Sequence, residues 1–96
     1  MSEQFSLLGF EHDPVGMLAR IIEVHFQHNG KTPAEIRLTA YEWTMTWRGL
    51  PDSARFQCSE IRILGVLISP DREVTHGTLR VIGKNDSVDV WTLPGF

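Results

Sequence analysis

His25 and His28 stand three residues apart ahead of Asn29-Gly30, a spacing that sets two imidazoles over one turn of a helix, where they could share a divalent metal ion. A third ligand would have to come from His12, His76, Asp13 or Glu23. Such a centre would make the chain a small metal-dependent hydrolase or nuclease. Against this, histidines in a last helical turn interact favourably with the helix dipole without any metal. No HExxH pattern or second ligand pair accompanies them.

The other groups able to do chemistry are thinner. Asp71, Glu73 and His76 share a loop, and Asp86 and Asp89 flank a turn, but aspartates in turns usually bond their own backbone. Ser59, Ser69 and Cys58 lack a nucleophile context such as GxSxG, and Gly83-Lys84 belongs to no phosphate-binding loop. The first reading is therefore a chain with no catalytic residue, no cofactor and no metal.

The more informative set is aromatic. Trp43 and Trp47, with Tyr41 and Met45 between and before them, are joined by Trp91 near the end of the chain. In a small domain, tryptophans build the core. They are also favoured, with arginine, as anchors in protein interfaces. Arginine outnumbers lysine seven to two, and guanidinium groups give up water more readily than ammonium groups. Trp43, Trp47, Trp91, Tyr41 and Arg80 are thus the candidate partner-binding residues.

These residues must be held by the elements around them. Asp13-Pro14 opens a long first helix, an N-cap aspartate before a proline at the first helical position, and Asn29-Gly30 closes it. Met17, Leu18, Ile21, Ile22, Val24 and Phe26 give it an apolar side, with Arg20, Glu23 and Gln27 opposite. Glu35-Ile36-Arg37-Leu38 alternates as a short strand with Ile36 and Leu38 inward. Residues 39–48 read two ways. Thr39-Ala40-Tyr41-Glu42 is a capping box and Gly49 a C-terminal stop, which favour a short helix. The alternation of Tyr41, Trp43, Met45 and Trp47 with polar residues suits an extra strand. The signalled ends favour the helix.

Ile61 to Ile68 reads as a central strand apolar on both sides, which must then be covered on both sides. A hairpin follows, Thr78 to Ile82 and Ser87 to Leu93 about Gly83-Lys84-Asn85-Asp86. The whole is an α+β chain with a small mixed or antiparallel sheet, in one domain spanning residues 1–96 whose first 12 residues form an edge strand or arm. Two helices can blanket about one face of a four-stranded sheet. Leu64, Val66, Ile68, Ile82, Trp91 and Leu93 populate both, so the arm, a second copy or a foreign partner must cover the rest.

Lys31-Thr32-Pro33-Ala34-Glu35-Ile36-Arg37-Leu38-Thr39, then Tyr41, Ile63-Leu64-Gly65-Val66-Leu67-Ile68-Ser69-Pro70-Asp71 and Gly77-Thr78-Leu79, resemble small phage and prophage proteins over about half the chain. Related patterns occur in the sheets of some phage capsid proteins, although the proline usual after that glycine is absent here. The resemblance implies a virion-assembly accessory or an inhibitor that grips a host complex, working in the host cell cytoplasm. Neither role requires catalytic residues.

Composition narrows the partner. Nine basic residues, dispersed and outnumbered by twelve acidic ones for a net charge of −3, supply no clustered positive field and disfavour nucleic acid. The longest apolar run, Ile63 to Ile68, is far short of a membrane span, and Met1-Ser2-Glu3-Gln4 opens no secretion signal. A lone cysteine suits a reducing, cytoplasmic setting. The sequence thus points to a non-enzymatic protein-binding module whose partner is a host or virion protein, or a second copy of itself.

Overall fold

The computed structural model of the chain describes residues 13–51 and 60–92. The anticipated N-terminal arm, Cys58 and Leu93 lie outside them. Two helices and a five-stranded mixed sheet make an α+β fold, in the order α1 (Pro14–Asn29), β1 (Glu35–Leu38), α2 (Ala40–Arg48), β2 (Ile61–Ile63), β3 (Val66–Pro70), β4 (Thr78–Ile82) and β5 (Val88–Thr92).

Helix α1 forms where its end signals stand. Asp13 Oδ1 accepts the main-chain N–H of Gly16 at 3.0 Å, Pro14 takes the first helical position, and Gly30 ends the helix at φ 74°. Such a cap contributes about 1 kcal/mol. The helix has 16 residues and is of ordinary rather than great length. Met17, Leu18, Ile21, Ile22 and His25 form its buried stripe, recurring at the three- and four-residue steps that keep side chains on one helical side.

Residues 40–48 are helical, as the end signals favoured. Thr39 Oγ1 accepts the N–H of Glu42 at 3.2 Å. Only this half of the capping box forms. The Glu42 side chain, which would complete it, is buried and turned toward Gly77. Glu42 and Thr46, four residues apart, face inward with Trp43, Met45 and Trp47 packed beside them against the core.

The segment 61–68 corrects the sequence reading. It is two strands joined by a two-residue turn, with Leu64 at φ 51° and Gly65 at φ 81°, the left-handed pair that a type I′ hairpin requires. Ile61 pairs with Ile68 and Ile63 with Val66. Folding the segment back on itself brings all four side chains to one face, where they are buried. The two-sided apolar pattern was the product of reading through the turn, since a two-residue break resets which positions point inward.

The strands lie in the order β2-β3-β1-β4-β5, with β1 and β3 parallel and every other neighbour antiparallel. Ile36, Leu38, Ile61, Ile63, Val66, Ile68, Leu79 and Val81 form the inner side, joined by the α1 stripe in one cluster. Both helices pack on this face.

Candidate functional site

Among the described residues no helix covers the side of the sheet opposite the inner one. Register places Arg62, Leu67, Glu35, Ile82 and Val88 in one cross-strand row, and Ser69, Arg37, Arg80 and Val90 in the next. Leu67 and Ile82 are half-buried, while Val88 and Val90 are 53% and 63% exposed. The apolar groups therefore run in a broken strip through a field of arginines and carboxylates.

Arg37 organises that field. Its Nη2 donates to Glu35 Oε1 and its Nη1 to Asp71 Oδ2, both at 3.3 Å. Glu35 beside it, and then Asp71, raise the guanidinium above its ordinary value. Asp71 is held below the usual carboxylate range, chiefly because its Oδ1 accepts the main-chain N–H of Glu73 at 2.9 Å, with Arg37 adding to the effect. Arg80, directly across from Arg37, donates to the Glu73 carbonyl at 3.1 Å. Two like charges set opposite on a sheet repel. The carboxylates around Arg37 are what make the pairing tolerable.

The five residues expected at an interface do not form one surface. Trp43 is partly buried, and its Nε1 donates to the Ile68 carbonyl at 3.1 Å. Trp47 stacks on it with ring centres 5.6 Å apart and planes 15° off parallel, an arrangement that contributes about 1 kcal/mol beyond the area it buries. Trp91 pairs with Leu79 and packs against the core on the helix side. Tyr41 is 55% exposed, with its ring 5.9 Å from that of His76. Arg80 stands on the open side of the sheet.

The histidine pair straddles the border of the buried stripe of α1. His25 is buried in the inner stripe of α1 and His28 is exposed. Among the described residues no group of three or more histidine, cysteine, aspartate or glutamate side chains is arranged to hold a metal ion. A small polar cleft includes His25, Asn29, Lys31 and Lys84, but Asn29 Nδ2 is already engaged with the His25 carbonyl at 2.9 Å. No helix among the described residues is long and apolar enough to cross a membrane.

Two features escaped the sequence reading. One is a buried acid: Glu42 has no solvent exposure, its Oε2 lies 3.2 Å from His76 Nδ1 and accepts the Gly77 N–H at 3.4 Å, and its Oε1 has no hydrogen-bond partner among the described residues. The other is a groove of about 480 Å³ between α1 and the β2–β3 turn, bordered by Ile22, Phe26 and Leu64. Phe26 is 49% and Leu64 62% exposed. The near mirror symmetry of Ile61-Arg62-Ile63 and Val66-Leu67-Ile68 about Leu64-Gly65 was the signal for this turn. No family model, curated protein or solved structure matches the chain.

Proposed function

We propose that the chain is a non-enzymatic protein-binding module encoded by a phage or other mobile element, acting as a virion-assembly accessory or as an inhibitor that occupies a host complex. The observation that carries the binding role is the one-sided sheet: both helices pack on one face, and the other presents Leu67, Ile82, Val88 and Val90 beside Arg80. A partner that sets an apolar side chain on the strip and a carboxylate against Arg80 fits this surface. The mobile-element origin rests on the resemblance carried by the strand motifs around Ile36 and Val66. Host cytoplasm is the setting that this role implies.

The binding role is tested by affinity capture with the wild-type chain, Arg80→Ala and Ile82→Asp, each checked for folding by circular dichroism. A stoichiometric partner captured by wild type and lost by both folded variants supports the reading. Its retention by both variants, or the absence of any specific partner, refutes recognition through this face.

A further inference from the structure

The two edges of the sheet are built differently. β2 has three residues, and its middle residue, Arg62, is exposed. A short, charged strand is how proteins keep an edge from pairing with other chains. Among the described strands β5 is the other edge, five residues of sequence Val-Asp-Val-Trp-Thr, with no proline, lysine or bulge and one charge, Asp89, opposite Val81.

Which backbone groups β5 offers follows from its hairpin. The Gly83 N–H donates to the Ser87 carbonyl at 2.8 Å, so Ser87 turns its backbone toward β4. Alternation then turns Asp89 and Trp91 toward β4 as well and points the N–H and C=O of Val88, Val90 and Thr92 outward. Those three residues are also the ones whose side chains stand on the open face.

We infer that the β5 edge pairs antiparallel with β5 of a second copy of this chain, across a two-fold axis at Val90. Outward groups meet whenever the axis passes through a residue of β5 rather than between two; at Asp89 it would set two carboxylates together, and at any residue but Val90 it leaves part of the strand unpaired. At Val90 the strand pairs along its full length. Val90 then opposes Val90, Val88 opposes Thr92, and Asp89 opposes Trp91, so no like charges meet and the valines of both copies join on the open face. Edge pairing is a standard route of association. A foreign strand could use the same groups, but this sequence supplies its own matching register. The inference rests on the interaction-module reading for its contact surface and names the second copy as one partner.

The test combines light-scattering mass over a concentration series with amide hydrogen exchange on the full chain. The expected mass is two chains at high concentration. The Val88, Val90 and Thr92 amides should become protected in step with that mass, whereas those of Asp89 and Trp91 are protected throughout. Val90→Pro removes an outward donor without touching the β4 ladder, and should give a folded single copy. Val90→Lys, which sets two ammonium groups together at the axis, should do the same should the proline variant fail to fold. The pairing is overturned by a single copy at every concentration, by a dimer whose Val88, Val90 and Thr92 amides exchange freely, or by those amides being protected in a single copy. Val90→Pro leaves Arg80 and Ile82 in place. A wild-type chain that stays a single copy at every concentration yet captures its partner defeats the pairing alone, whereas loss of that capture in the folded Arg80→Ala and Ile82→Asp chains supports the recognition reading and leaves the pairing standing.

Discussion

His76 Nδ1 lies 3.2 Å from Oε2 of Glu42, joining an imidazole at the surface to a carboxylate with no solvent contact. The pair ties the 71–77 loop to α2, helped by the Gly77 N–H. An ionised carboxylate in that position is costly wherever its charge and lone pairs are not met, and Oε1 is unmet among the described residues.

Removing the two partners should therefore have unequal effects. His76→Ala strands the buried acid and should cost about 1 kcal/mol, a value reduced from that of a fully buried pair because His76 is well exposed. Glu42→Met fills similar volume without the charge and should change stability by less than about 1 kcal/mol. In the Glu42→Met background the histidine deletion should cost less than it does in the wild-type chain. Urea midpoints at neutral pH measure all three, and an equal loss from His76→Ala in both backgrounds would show that the two side chains are not coupled.

Leu64 sits at φ 51°, a conformation that costs a residue with a branched side chain about 1 kcal/mol and that asparagine tolerates well. Leu64→Asn should raise the thermal midpoint by about 4–8 °C for each kcal/mol recovered. A lowered midpoint would show that the leucine contributes more through contact with the groove than it loses to backbone strain.

Asp71 gives the acid response its direction. Because its folded value lies below the ordinary one, its contribution is in place above the usual carboxylate value of about 3.9 and is lost as pH falls through the lower, folded value. Urea midpoints taken between about pH 5 and pH 2 should fall more steeply for the wild-type chain than for Asp71→Asn. Parallel curves would remove Asp71 from the acid transition.

Much of the architecture was legible because local signals and tertiary demand agreed. Asp13-Pro14 and Gly30 bound the first helix, Ile36 and Leu38 point inward, and the final hairpin turns where Gly83 to Asp86 stand. The reading failed where a turn carried an apolar residue. Leucine is a poor occupant of a left-handed position, so Leu64 concealed the break and turned one-sided burial into an apparent two-sided strand. Glu42 was hidden for a related reason: its capping-box position predicts a surface carboxylate reaching back to Thr39, and only the approach of His76 and Gly77, 34 and 35 residues away, gives it an inward alternative. Composition singled out aromatic and arginine side chains as the interface candidates. It could not say that the tryptophans lie on the helix side and Arg80 on the other, because that depends on strand register.

The place of β1 also governs how the chain assembles in time. β2–β3 and β4–β5 are closed by loops of two and five residues and can form from neighbouring sequence. β1, only four residues long, lies between these hairpins and pairs in parallel with β3 across residues 39–65, a span that contains α2. Its docking must close that longer loop before any sheet contact repays the lost entropy. Docking of β1 joins the two hairpins, and substitutions at Ile36 should slow folding more than equally buried changes within either hairpin, as refolding rates would show.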